Sequence, residues 1–482
     1  MEANFKNRTL FHGDNLDFMR AMNSECIDLI ATDPPFNKGR DFHATPDSLA
    51  DGASFQDRWS WEKDVHQDWI DQLTDDHPAL MEAIESAIHA HSDGMGAYMC
   101  FMAVRLLAMR RLLKPTGSIY LHCDPTASHY LKAVMDAIFG WRNFRNQIVW
   151  QRSNSHNTAN RYANVSDVIL YYTLSKRFTW NQQYQAYNEA QRGRFKHRDA
   201  NGRIYKLDDL TASRLNSSSG KFEWRGTMPP PSRGWGYKLE QLESWWEEGR
   251  IVTKRDGSPR MDGLKVYLED SKGKPLINIW TDVPRVPNTS SERTGYPTQK
   301  PLALYERIIK ASSNEGDIVL DPFAGCATTC VAAERLNRQW VGIDIWDKAH
   351  EVVIKRLHDE VGLFGDVHYT DRIPTRTDNG DTAAPYLKVK QSIPEPPGRK
   401  MSRAEMYKIL LSQQGIKCQG CDRKFDDARY LELDHNTPRA DGGPNHISNR
   451  ILLCGPCNRL KSHIYTLSGL RRENKKRGFM KG

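Results

Sequence analysis

The sequence predicts an α/β chain carrying a second, smaller unit at its C-terminal end, and three observations support that expectation. Strand-like apolar runs alternate with helical patterns in two separate stretches. An irregular, tryptophan-rich stretch divides them. Two Cys-x-x-Cys pairs follow a polar, proline-rich segment near the end. The 482 residues are too many for one ordinary hydrophobic core. With 39% hydrophobic and 27% charged residues, the composition is that of a soluble globular protein. The formal charge of +8 has the sign that suits an acidic polymer as partner, and positive charge gathers towards the C-terminus.

In the first stretch, strands are expected at Thr9–His12, Ile27–Thr32, Ser118–His122 and Val168–Tyr172, with a helix over Ala97–Leu113. The second stretch, Pro301 to Leu363, reads as the helix "PLALYERIIKASS", the strand "DIVLD", the helix "TTCVAAERLN" and the strand "WVGIDI". Together they describe a mostly parallel sheet covered by helices, in which ligands sit at the carboxyl ends of the strands. Gly39 to Gly96 is an insertion placed to form a lid or a substrate-side wall. From Leu174 to Val286 the pattern dissolves. There Arg192, Arg194, Lys196, His197 and Arg198 precede Trp224, Trp235, Trp245, Trp246 and Trp280. Interleaved basic and aromatic residues suit groove and phosphate contacts, and equally the tryptophan-rich core of a small insertion. Arg376 to Arg399 reads as a linker, after which "SRAE", Ser402 to Glu405, has the form of a capping box opening a helix.

No window approaches about eighteen consecutive apolar residues, and the opening "MEANFKNRTLF" has no signal-peptide core, so a cytoplasmic chain without membrane contact is expected. Cys26, Cys100, Cys123, Cys326 and Cys330 are scattered, whereas Cys418/Cys421 and Cys454/Cys457 are paired. That pattern indicates reduced thiols and a metal knuckle rather than a disulfide framework.

Two motifs bear the chemistry of the larger part. "DIVLDPFAGCATT", residues 317 to 329, is strand, glycine turn and helix N-terminus: Gly325 lets a ligand approach the backbone, and the next strand ends in Asp344, suited to ribose hydroxyls. Alone, that turn does not separate a nucleotide from an adenosyl group. "TDPPFN", residues 32 to 37, places Asp33 at a strand's carboxyl end, where its carboxylate accepts a hydrogen bond from an exocyclic amine. The Pro34 carbonyl is a second acceptor, Pro35 stiffens the turn, and Phe36 offers a stacking face. The set fits a planar, amine-bearing ring taken out of a helix.

TDPPFN, "DPFAG" and "GYPTQKP", residues 295 to 301, together resemble the amino-group DNA methyltransferases that use S-adenosyl-L-methionine. With the catalytic motif first and the cofactor motif far downstream, the order resembles the circularly permuted beta group. The resemblance covers roughly residues 9 to 370 and implies a Rossmann-like sheet interrupted by a target-recognition insertion. It implies that Asp33, Pro34, Pro35 and Phe36 hold the target base. It implies cofactor contacts at Asp14, Asp321, Phe323, Gly325 and Asp344, with Thr298, Gln299 and Lys300 lining the methionine end. Ala327 stands where the family often has glycine. Asp-Pro-Pro-Phe implies adenine, with cytosine's exocyclic amine as the alternative.

In the C-terminal unit, Cys418, Cys421, Cys454 and Cys457 supply four thiolates for a closed, structural Zn²⁺ site. Between and beside the pairs stand Asp434, His435, Asn449 and Asn458. A carboxylate and an amide oxygen suit Mg²⁺ or a similar hard cation, and a histidine can deprotonate water attacking a phosphate. Residues 400 to about 470 resemble the HNH nucleases with their small ββα-metal fold. The resemblance implies His435 as general base, Asp434 and Asn458 as ligands of catalytic Mg²⁺ or Mn²⁺, and Asn449 as the residue positioning the His435 loop. Arg459, Lys461 and His463 read as phosphate contacts or helix-surface residues, and "RRENKKRG", residues 471 to 478, as a basic tail clamping backbone phosphate.

The expected organisation is a catalytic half at 1–174, target recognition at 175–286, a cofactor-binding half at 287–373, a linker at 374–399 and a nuclease unit at 400–482. Both resemblances imply double-stranded DNA as partner, and the methyltransferase resemblance allows a homodimer. The implied whole is a restriction and modification enzyme in one chain. The alternative keeps the methyltransferase and makes the C-terminal unit a DNA-binding accessory.

Overall fold

Nine strands form the central sheet of the computed structural model, which describes residues 2–154, 160, 162–213, 220–362, 367–378, 399, 401–437, 444–461 and 466–480. Across the sheet they run Ile279–Trp280, Phe144–Gln151, Ser166–Thr173, Leu113–Cys123, Ile27–Thr32, Ile318–Asp321, Gln339–Asp344, Thr9–His12 and His368–Thr370. Ser166–Thr173 is antiparallel to both its neighbours, and the other pairings are parallel. The inner strands are covered on both faces, which is why "IDLIAT" and "IVLD" read as nearly continuous apolar runs rather than alternating ones. Ile27–Thr32 and Ile318–Asp321 are adjacent and parallel, with Leu29 opposite Val319. Thus the two motifs, nearly three hundred residues apart in sequence, emerge side by side at the carboxyl ends of two central strands.

The expected helix over Ala97–Leu113 begins earlier, at Asp93, because the Ser92 side chain accepts a hydrogen bond from the Met95 amide and caps the first turn. Gly96 lies against the helix Pro78–Ala90, where an added Cβ would fall 2.1 Å from Ile88. The Gly39–Gly96 insertion is therefore largely packed structure: Leu73, Leu80, Ile84 and Ala87 are buried in the same core as the Asp93–Leu112 helix. Three sheet strands, Ile279–Trp280, Phe144–Gln151 and His368–Thr370, lie outside the sequence expectation. Phe144–Gln151 is half polar, and His368–Thr370 is a three-residue edge.

The chain divides into two compact units, Met1–Asn181 with Asn278–Gly482, and Gln182–Ile277. The second contains an antiparallel sheet ordered Ile251–Thr253, Pro259–Tyr267, Ile204–Asp208, His197–Arg198. Trp224 and Trp235 are its core, 2% and 1% exposed, with Leu210, Leu242, Ile251 and Leu264. Trp224 packs edge-on to Trp235 and Trp246. For these tryptophans the small-core reading holds, while Arg192, Arg194 and Lys196 stay exposed.

In the C-terminal module, Ser402 and Glu405 form the expected capping box ahead of helix Arg403–Gln414. The hairpin Leu431–His435/Arg450–Cys454 is followed by helix Gly455–Lys461 and helix Leu467–Lys476, and the last holds most of the basic stretch read as a tail. Met406, Leu410, Leu431, Leu433, Leu452, Leu453 and Leu470 form a core of its own. Most of the expected linker, 379–398, lies outside the described residues. Its start is fastened: the Ser24 amide donates to Asp378 and the Thr377 amide to Asn23.

Candidate active sites

A cavity of about 650 Å³ opens where Ile27–Thr32, Ile318–Asp321 and Gln339–Asp344 end. Asp14, Asp33, Pro34, Pro35, Phe36, Thr298, Gln299, Lys300, Asp321, Phe323, Gly325 and Asp344 all line it, so the residues expected to hold a ring and a cofactor share one space.

On the TDPPFN side, Asp33 Oδ2 accepts a hydrogen bond from Lys300 Nζ at 2.6 Å. Asp33 Oδ1 is buried with no hydrogen-bond partner among the described residues. Lys300 Nζ also stands 4.8 Å from the centre of the Phe36 ring, so Lys300 fixes the motif itself. The Pro35 carbonyl accepts from the Tyr98 hydroxyl at 2.6 Å. Asn37 adopts a left-handed φ of 60°, and Asp57 receives the Asn37 and Lys38 amides at 2.6 and 3.0 Å. Burial raises the Asp57 pKa, and these amides oppose that shift. Lys38 pairs with Asp124.

Behind Asp33 stands a buried histidine and carboxylate pair that sequence reasoning missed. His122 Nδ1 lies 3.7 Å from Asp33 Oδ1, and His122 Nε2 lies 3.2 Å from Asp167 Oδ2. Arg152 Nε donates to Asp167 Oδ1 at 2.9 Å. Burial opposes charge on Asp167, but His122, Lys300 and Arg152 hold its pKa down at about 2. The signal was a histidine at the end of an apolar strand, in "YLHCD".

On the glycine-turn side, Asp321 is 3% exposed and accepts from Thr32 Oγ1 at 2.9 Å. Burial pushes its pKa up to about 7. Gly325 has φ +53°, and a Cβ there would fall 2.9 Å from the Tyr296 ring, so backbone freedom and close approach both require glycine. Its amide donates to Asp344 Oδ2 at 2.6 Å, while the Trp346 amide donates to Asp344 Oδ1 at 2.8 Å. Burial raises the Asp344 pKa. Ala327, the departure from glycine, also lies in the left-handed region, at φ 55°. Gln299 ties its own loop by accepting from Thr294 and donating to the Glu292 carbonyl. Asp14 caps helix Asn15–Ala21 and pairs with Arg105 at 2.9 Å; Arg105 also bonds Asn15 and lies over the Phe101 ring at 3.5 Å. Burial lowers the Arg105 pKa to about 10. A lone arginine amid "FMAVRLLAM" was the signal for this second omission.

In the C-terminal module the sulfurs of Cys418, Cys421, Cys454 and Cys457 lie within 4.8 Å of one another. Tetrahedral zinc with Zn–S of about 2.3 Å needs sulfurs about 3.8 Å apart, so the donor set fits. Asn474 Nδ2 lies 3.4 Å from Cys457 Sγ, and the Cys454 amide donates to Cys418 Sγ. Asp434 and His435 end the first hairpin strand, opposite Ile451 and Arg450. Asn449 fastens the following turn, accepting the Thr437 amide on Oδ1 and donating to the Thr437 and Pro444 carbonyls. Asn458 donates to Glu432 at 2.5 Å. Lys461, read as a phosphate contact or a helix-surface residue, is 1% exposed, with Nζ 2.8 Å from Asp434 Oδ2. His463 lies outside the described residues.

A family profile described as DNA methylase matches residues 27–355, and one described as HNH endonuclease matches residues 418–463. The chain is 36% identical over 273 residues to the type II methyltransferase M.EcaI of Enterobacter cloacae, covering 56% of this chain and 60% of that protein. It is 27% identical to the type III restriction-modification enzyme StyLTI Mod subunit of Salmonella typhimurium, over 68% of this chain and 50% of that one. It is 26% identical to the DNA adenine methyltransferase YhdJ of Escherichia coli, over 73% and 82%. The chain thus spans only 60% and 50% of the lengths of the first two relatives. The solved structure of the M1.HpyAVI-SAM complex aligns over 72% of this chain and 99% of its own, at 17% identity and a TM-score of 0.33.

Proposed function

Because the chain belongs to the DNA methylase family, we propose that it transfers a methyl group from S-adenosyl-L-methionine to the exocyclic amine of adenine in double-stranded DNA. In the same proposal its C-terminal HNH-like module cleaves DNA with Mg²⁺ or Mn²⁺, and the motif order is that of the circularly permuted beta group. The observation that supports this most is Asp33 Oδ1, a buried acceptor without a hydrogen-bond partner among the described residues, in the cavity that also holds Gly325 and Asp344.

The residues present fit the cofactor. Asp344 would meet its ribose, Phe323 and Asp14 its adenine side, and Gly325 its close approach to the backbone. When bound, S-adenosyl-L-methionine supplies an electrophilic methyl on a sulfonium. Lys300 holds Asp33 by Oδ2, which leaves Oδ1, the oxygen without a hydrogen bond among the described residues, to accept one from the amine. Phe36 stacks the ring, and the Pro34 carbonyl is the second acceptor. These contacts orient the amine towards the methyl and disperse the positive charge that grows on nitrogen. The proton leaves after transfer, first to Asp33 or to water.

Residues 175–286 read the site, with Arg192, Arg194 and Lys196 offered to phosphates. The four cysteines hold Zn²⁺ structurally, Asp434 and Asn458 hold the nuclease ion, and His435 deprotonates water. One recognition event then serves both marking and cutting. The second reading, a module that binds DNA without cutting, is favoured by the Lys461 ammonium on Asp434.

The experiment follows labelled methyl transfer to duplex DNA by wild type and Asp33→Ala. The substitution is expected to abolish transfer while cofactor binding persists; unimpaired transfer would overturn the proposal. A parallel arm compares cleavage of unmodified and premethylated duplex with Mg²⁺ or Mn²⁺. Cleavage confined to unmodified DNA and lost in His435→Ala supports the fused restriction enzyme, and its absence favours the second reading.

A further inference from the structure

His435 does not face solvent. It is 2% exposed, and its Nδ1 lies 3.0 Å from Oδ2 of Asp75, a residue of the helix Gln67–Asp76 in the methyltransferase half. Arg450 Nη1 lies 3.3 Å from the same Nδ1, so a carboxylate and a guanidinium both meet that nitrogen. His435 Nε2 is also buried, with no hydrogen-bond partner among the described residues. Asp75 is itself 2% exposed at its side chain. Its Oδ1 accepts from Arg403 Nη1 at 2.6 Å, and its Oδ2 is 3.5 Å from Arg450 Nη1. One helical turn earlier, Asp71 Oδ2 accepts from Asn445 Nδ2 at 2.8 Å. Burial opposes charge on Asp75, yet His435, Arg450 and Arg403 hold its pKa well below the usual carboxylate range.

Two guanidinium groups and an imidazole converging on one anionic oxygen pair form a set that receives a phosphate as readily as a carboxylate. The helix that supplies the carboxylate, "QDWIDQLTDD", carries four aspartates and neither lysine nor arginine. We propose that this acidic helix closes the C-terminal centre in cis, with Asp75 occupying the position of a phosphodiester between Arg403, His435 and Arg450. DNA cutting then requires the C-terminal module and this helix to part at their shared surface, because a carboxylate held there repels the scissile strand and occupies the nitrogen nearest it. This inference rests on the reading of His435 as the nuclease base, though the closure itself concerns only anion binding.

The test uses the full chain and a short duplex of random sequence, with no divalent ion added. Asp75→Asn is expected to tighten duplex binding by about tenfold, the gain from opening a face that is closed about nine-tenths of the time. Adding Arg450→Ala should remove that gain. Asp68→Asn, equal in charge change and on the same helix, should alter binding by less than about twofold, which separates closure from net charge. Unchanged binding in Asp75→Asn overturns the proposal. With Mg²⁺ added, Asp75→Asn should cleave about tenfold faster than wild type. Slower cleavage than wild type also overturns it, making Asp75 a positioning residue for His435. Tighter binding with no cleavage in either protein upholds the closure and refutes the nuclease reading. Retained methyl transfer reports that Asp75→Asn is folded. A measurement on the unaltered protein stands beside it: excess duplex should raise amide hydrogen exchange across Gln67–Asp76, and unchanged exchange counts against closure.

Discussion

Asp321 is the residue where burial and charge conflict most openly. Its carboxyl titrates at about 7 in the folded protein, raised by desolvation, against about 4 in an unfolded chain. The folded state therefore binds its proton more tightly. The stability this contributes is complete below about pH 4 and is lost as pH rises towards about 7, at up to about 1.4 kcal/mol per pH unit. Asp321→Asn keeps an acceptor for Thr32 Oγ1 without the ionisation. The expected outcome is that denaturant unfolding of wild type weakens between pH 4.5 and 8 relative to Asp321→Asn, and parallel curves would refute the assignment. At the same scale Asp33, Lys300 and His122 show what one residue's chemistry needs from others. Asp33 was legible as an acceptor from its motif. That Lys300 would take one of its oxygens and His122 stand behind the other was not, because they come from a distant loop and another strand.

At the scale of elements, the glycine turn and its helix present a local conflict. Ala327, at the start of Thr328–Arg335, holds a left-handed φ that costs an L-residue about 1–2 kcal/mol. Ala327→Gly relieves that strain but loses a buried methyl worth about 0.8 kcal/mol and adds unfolded-state entropy of about 0.5–1 kcal/mol. These terms nearly cancel, so the variant should lie within about 0.5 kcal/mol of wild type. Ala332→Gly, in the interior of the same helix, has no strain to relieve and should cost about 1–2 kcal/mol. Urea unfolding of the pair measures the difference; equal losses would mean that the left-handed turn is not held in solution. Periodicity placed this helix and both strands around it. It did not show Phe144–Gln151, whose polar positions obscure its alternation, nor the sheet within 182–277, made of strands of two to nine residues.

For the whole molecule, the separate cores set what can fail independently. The sheet's core is built around Ile27, Leu107 and Leu121, and the module's around the hairpin, Met406 and Leu470. A strong chelator, or Cys454→Ser, should therefore unfold the module while methyl transfer persists, since a structural zinc site this small is much of its module's folding free energy. The check is circular dichroism with methyl transfer measured on the same sample, and joint loss of both would show that the halves fold as one. The contact through Asp75 is compatible with that independence because it joins surfaces, whereas the cores remain apart.

The sequence by itself determined the chemistry that short spacing encodes: TDPPFN at a strand end, the DPFAG turn, two cysteine pairs and the capping box at Ser402. Such features depend on neighbours within a few residues and on the period of a helix or strand. Only the tertiary structure decided which groups meet across hundreds of positions. Lys300 reaches Asp33, Arg105 reaches Asp14, Lys461 covers Asp434, and Asp75 meets His435. Each is a buried charge whose partner is fixed by strand order and helix packing, and no local pattern in the chain specifies a distance between two such elements.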